Sequence, residues 1–95
     1  MSTGTATVRV ELFGVPQLLT GRRQVEVPGR TLREVAGALA REFPALAGSV
    51  VDPATGWING GYLFVVDGRF TRDPSCPVGP ESSVLLVSAQ AGGAS

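Results

Sequence analysis

The sequence predicts an α+β domain in which one main helix lies on one face of a mixed sheet of four to five strands. Three observations predict it. Residues 7–13 and 24–27 alternate apolar and polar side chains with period two, as half-buried strands do. Residues 31–43 carry apolar side chains at three- and four-residue steps, as an amphipathic helix does. Residues 62–66 and 84–87 are short apolar runs that fit strands. One helix covers one sheet face, so the other face is predicted to meet water.

In the first strand Val8, Val10 and Leu12 share one face, and Arg9, Glu11 and Phe13 the other. Phe13 is the odd member, an aromatic among charges. It is either a rim residue covered by the following loop or part of an exposed contact patch. Gly14-Val15-Pro16 breaks the strand, and Gly21-Arg22-Arg23 ends the connection. Val25 and Val27 mark a second strand, which pairs most simply as an antiparallel hairpin with the first. Thr31 is a good N-cap and Glu34 stands three places later, a capping box. Leu32, Val35, Ala36, Leu39, Ala40 and Phe43 form the apolar stripe, and Pro44 stops the helix. Asp52-Pro53-Ala54-Thr55-Gly56 and Asn59-Gly60-Gly61 are turn chemistry. Trp57-Ile58 between them is a short strand or a loop that covers the core.

Asp67-Gly68 is a turn signal after the run 62–66. Phe70 follows it, expected near the surface. Cys76 lies in a loop with Pro74, Pro77 and Pro80 and is expected to be unreactive. Residues 1–6 read as a disordered tail, 7–88 as the folded domain and 89–95 as a flexible tail. Phe13, Phe70 and Val87 would together make an apolar patch on the uncovered sheet face, and such a patch suggests a partner.

Composition excludes several kinds of chemistry. The 95 residues contain no His, which removes Ser-His-Asp and Cys-His catalysis. With only Cys76 in addition, the usual zinc ligand sets are excluded, and no metal residue is assigned. There is no Lys, hence no P-loop lysine and no Schiff base. No catalytic residue is assigned, and the chain is expected not to be an enzyme. The net charge is zero and the eight arginines are scattered, so no nucleic-acid stripe exists. No run approaches the roughly 20 apolar residues of a membrane span. A single cysteine and a small, polar N-terminus without a signal-peptide pattern imply a soluble, cytoplasmic protein.

The end of the chain is the most informative stretch. Val84 to Val87 runs at once into Ser88-Ala89-Gln90-Ala91-Gly92-Gly93-Ala94-Ser95. Glycine lacks a Cβ, so Gly92-Gly93 can thread a narrow channel and present its backbone to a reagent.

The chain resembles the MoaD/ThiS group of ubiquitin-like sulfur carriers over about Val8 to Gly93. The resemblance rests on Val8-Arg9-Val10-Glu11-Leu12-Phe13, on the segment from Val25 to Leu32, on Phe64-Val65-Val66-Asp67-Gly68, and on Val84 to Gly93. The ending Ala89 to Gly93, with Asp52-Pro53, looks most like carriers that supply sulfur for cysteine synthesis. The resemblance implies the β-grasp fold. It also implies that an E1-like enzyme adenylates the Gly93 carboxylate with ATP, that a sulfur donor converts it to a thiocarboxylate, and that a sulfur-accepting synthase takes the sulfur. No cofactor is bound by the carrier itself. Gly92 and Gly93 thread the tail, and Phe13, Phe70 and Val87 match the family's partner surface.

Two departures stand out. Ala94-Ser95 follows Gly93, so the family logic requires a peptidase, of the JAMM metalloprotease type, to cut between Gly93 and Ala94. The usual Asp-Gly-Asp turn before the last strand is here Pro80-Glu81-Ser82-Ser83. The alternatives are a small subunit of molybdopterin synthase, or an interaction module or protein modifier without sulfur chemistry. The lack of lysine leaves only the N-terminus to capture an activated acyl group within the chain. A compositional bias toward Arg, Ala and Gly accounts for the same count.

Overall fold

A computed structural model of the chain describes residues 7–89. β1 (Thr7–Leu12) and α1 (Val15–Thr20) precede β2 (Gln24–Pro28), which pairs antiparallel with β1, Val8 opposite Val27 and Val10 opposite Val25. The inward residues of both strands are buried, while Arg9, Glu11 and Glu26 are exposed. After the long helix α2 (Leu32–Glu42) come the two-residue strands β3 (Val51–Asp52) and β4 (Trp57–Ile58). Then follow β5 (Tyr62–Val66), β6 (Arg69–Thr71) and β7 (Val84–Ser88). The main sheet has the order β2-β1-β7-β5-β6. β7 is parallel to β1 and antiparallel to β5, so the last strand in sequence is the middle strand of a mixed five-stranded sheet.

α2 begins where the sequence places it. The Thr31 hydroxyl accepts the Glu34 N–H at 3.3 Å. The return arm differs from a standard capping box: the Glu34 carboxylate accepts the N–H of Arg30 at 2.8 Å, one residue before the cap. Gly29 makes the turn onto the helix possible, because a Cβ there would lie 3.0 Å from the Val35 backbone nitrogen. The helix buries Leu32, Val35, Ala36, Ala38 and Leu39, with Ala40 and Phe43 partly buried at the edge of the stripe. Ala38 widens the stripe beyond the residues expected. Phe64 is the largest fully buried side chain of the core between this helix and the sheet.

The structure adds elements that the sequence reading took for connections. Gly14-Val15-Pro16 does end β1, but it also opens α1. Proline costs a helix nothing in the first turn, where its missing N–H would have no partner. Gly21 closes the same helix in the left-handed region (φ 71°), its N–H donating to the Gln17 carbonyl at 2.9 Å. A 3-10 turn spans Pro44–Leu46 and buries Leu46. Trp57-Ile58 is a strand, paired with Val51-Asp52 across the Asp52–Gly56 turn. Trp57 also covers the core, its ring 5.7 Å from that of Phe64.

Arg69–Thr71 forms the edge strand of a tight hairpin. Asp67 and Gly68 both take positive φ (51° and 85°), as a two-residue turn of matching twist requires. The segment Pro80-Glu81-Ser82-Ser83 is tied down by a different set of bonds. Ser82 Oγ accepts the Gly79 N–H, and Asp67 both donates its N–H to the Ser83 carbonyl and accepts the Ser83 N–H on its carboxylate. The backbone carbonyl of Cys76 accepts the N–H of Leu32 at 3.0 Å, and the residue packs half-buried against the core.

Candidate functional site

The two ends of the sheet differ in what they gather. Because β1 and β7 are parallel, their C-terminal ends lie together. This end therefore holds Phe13, α1 and Ala89. Phe13 extends the ladder by donating its N–H to the Leu86 carbonyl at 3.2 Å. On the other side of β7, Ser88 pairs with Tyr62, and Ala89 donates its N–H to the Gly61 carbonyl at 2.7 Å. The Arg72 guanidinium donates to the carbonyl of Tyr62. Arg22 and Arg23 stand at the same end, the Arg23 carbonyl accepting the Leu12 N–H. Gly92, Gly93 and Ala94 lie outside the described residues, which stop at Ala89, the root of the tail.

The register decides which side chains share the outer sheet face. Val65 stands opposite Phe70 on one side and Leu85 on the other; Leu63 stands opposite Val87. Their neighbours Phe64, Val66, Val84 and Leu86 are buried against the helix, so these five point outward. Phe13 continues the outward parity of Arg9 and Glu11. Phe70 is 74% exposed and Phe13 43% exposed, while Val87, Leu63, Val65 and Leu85 are half-buried. Phe13 is thus an exposed residue and not one sealed under the loop that follows it. The other half of this face, on β1 and β2, is polar: Arg9 and Glu26 approach to 4.0 Å.

The sequence reading named Phe13, Phe70 and Val87 for this face and missed Leu63, Val65 and Leu85. The signal was present. A strand with one face in the core and one in water alternates, whereas Tyr62–Val66 and Val84–Val87 are apolar on both faces. Such runs read as strands buried on both faces. Here the second apolar face is only partly covered by its own neighbours. Leu18 of α1, at the tail end of the sheet, is 81% exposed.

Among the described residues no polar or charged side chain is buried, and no group of three or more His, Cys, Asp or Glu is placed to hold a metal ion. Nor is any helix among them long and apolar enough to cross a membrane. Among the described residues, the feature that stands out is the partly apolar outer surface of the sheet.

Solved structures share this arrangement. The small archaeal modifier protein 1 of Methanosarcina acetivorans superposes with a TM-score of 0.79 at 17% identity, over 96% of this chain and 100% of that one. The chain has the β-grasp fold. SAMP1 of Haloferax volcanii gives a TM-score of 0.76 at 20% identity, over 92% and 99% of the two chains. The Amycolatopsis orientalis BexX/CysO complex contains a chain that matches with a TM-score of 0.73 at 19% identity, over 90% and 99%. No family model and no curated protein matches the sequence. Identities this low carry the β-grasp architecture from one chain to the other, and the chemistry has to be argued from the residues.

Proposed function

We propose that the chain is a ubiquitin-like sulfur carrier whose working group is the carboxyl of Gly93. One observation carries the reading: the middle strand of the sheet leads directly into the Gly-Gly tail, beside an apolar face with Phe13 and Phe70 exposed. Ala89, the last described residue, is held to Gly61, so a partner that docks on that face meets the start of the tail at a fixed point. The neighbours support the docking step in kind, since one of them is a complex of two proteins.

The chemistry follows from the carboxylate. At neutral pH it is ionised and a poor electrophile. Cleavage between Gly93 and Ala94 by a JAMM-type metalloprotease exposes it. An E1-like enzyme lets a Gly93 oxygen attack the α-phosphorus of ATP, and pyrophosphate leaves. A sulfide-level donor then adds to the acyl carbon, AMP leaves, and Gly93 ends as a thiocarboxylate. A synthase uses that sulfur as a nucleophile in making cysteine or another sulfur-containing metabolite. The carrier is consumed and regenerated, and is not the catalyst.

Intact-mass analysis of the chain from its native cell tests the proposal. The expected population ends at Gly93, and part of it is heavier by the difference between sulfur and oxygen. A population ending only at Ser95 would overturn the reading. The name of the Methanosarcina neighbour favours a second outcome, in which the same acyl adenylate is passed to an amine. Lysine-linked conjugates on other proteins would mark the chain as a modifier.

A further inference from the structure

We propose that Asn59-Gly60 is a modification site, at which the chain deamidates spontaneously once the hydrogen bonds on the Asn59 side chain open, and that conversion there loosens the root of the tail. The site lies in the turn before β5 and does not depend on whether Gly93 is activated.

Asn59 is the only asparagine of the chain, and a glycine follows it. With no Cβ on the next residue, the backbone nitrogen stands unshielded beside the carboxamide, which makes this dipeptide chemically labile. The fold does not ask for glycine at 60. Its φ is not in the left-handed region, and a Cβ there would meet nothing within 4 Å. Gly60 is exposed, and its N–H donates to no other described residue. The nucleophile is therefore free, and the electrophile is the part that is held. Nδ2 of Asn59 donates to the carbonyls of Gly48 at 3.3 Å and Ser49 at 3.0 Å, from a half-buried position. The Asn59 N–H donates to the Val50 carbonyl at 2.8 Å.

The reaction consumes only water. The Gly60 nitrogen, its proton lost to base, adds to Cγ of Asn59. The Cγ–Nδ2 bond breaks, and ammonia leaves with that electron pair and a proton from solvent. Water then opens the succinimide at either carbonyl, giving aspartate or isoaspartate. Either product replaces the donating NH2 by a carboxylate, which only accepts hydrogen bonds, so the bonds to Gly48 and Ser49 cannot form again. Isoaspartate also adds a carbon to the main chain between residues 59 and 60. That turn carries two further bonds. The Asn59 carbonyl accepts the Tyr62 N–H at 3.1 Å, and the Gly61 carbonyl accepts the Ala89 N–H at 2.7 Å. The second of these is the bond that holds the root of the tail.

The test ages the full chain in mildly alkaline buffer, folded and in urea, and follows its peptides by mass for the exchange of NH2 for OH. In urea Asn59 is expected to convert to a mixture of aspartate and isoaspartate. The folded chain is expected to convert at least about tenfold more slowly, the factor that a local opening costing about 1.4 kcal/mol imposes. G60A should keep the melting temperature of wild type and convert far more slowly in urea. The converted fraction of the folded chain, separated by anion exchange through its added negative charge, is expected to exchange the Tyr62 and Ala89 amides roughly tenfold faster than the unconverted chain, with the Val10 amide unchanged. N59D removes the donor from an ordinary main chain and should speed exchange at Ala89 too, and it decides the question if the isoaspartyl form unfolds. The proposal fails if folded and urea-treated chains convert at one rate, if G60A converts as fast as wild type, or if Ala89 is as protected in the converted chain and in N59D as in wild type.

Discussion

Phe70→Ala separates a docking side chain from a structural one. A phenylalanine presents roughly 200 Å² to be buried. At 74% exposure, roughly 150 Å² of Phe70 remains open in the free domain. At about 25 cal/mol per Å², the quarter already covered contributes about 1 kcal/mol to the fold. The open part sets a ceiling of about 4 kcal/mol on what a partner gains by covering it. Allowing for the Cβ that alanine retains, the substitution is expected to weaken docking by about 2–3 kcal/mol, roughly 30- to 150-fold in Kd, if Phe70 is an anchor. Chemical denaturation should show a stability loss of at most about 1 kcal/mol. Calorimetric titration of both forms into the E1-like enzyme that the proposed function calls for measures the first quantity. A variant that loses more than about 2 kcal/mol of stability yet docks normally would refute the argument, because Phe70 would then be a core residue in disguise.

Three further substitutions test the scaffold. Phe64→Ala removes the largest fully buried side chain and should lower the unfolding free energy by about 3–5 kcal/mol, read by urea titration. Thr31→Ala removes the oxygen that accepts the Glu34 N–H and should cost about 1 kcal/mol, with Thr31→Ser recovering most of it. Gly29→Ala sets a methyl group 3.0 Å from the Val35 backbone nitrogen, which cannot swing aside. Its expected cost is about 1–3 kcal/mol in thermal or chemical unfolding, far more than the few tenths expected of a surface change.

The strands and the long helix were legible because their periods differ and their boundaries carry specific chemistry. Thr31, Pro44 and the Asp67-Gly68 pair each mark a limit that the structure respects to within a residue. α1 was harder, since six residues give too few turns for a period to show, and its proline reads first as a breaker. The spacing from Pro16 to Gly21 was the better guide. The strand order was not legible at all from local pattern. That β7 inserts between β1 and β5 depends on contacts spanning most of the chain. The outer face was legible only in part for the same reason: Leu85 and Val65 look like core residues until the sheet shows that only one of its faces carries the long helix.

A keystone strand that comes last has a consequence for biosynthesis. Until Val84–Ser88 clears the ribosome, β1 and β5 each keep an open edge where the other half should be joined, and the nascent chain is two unconnected hairpins. The outer face that Phe70, Val65 and Leu85 share is therefore finished only when the last of its strands arrives.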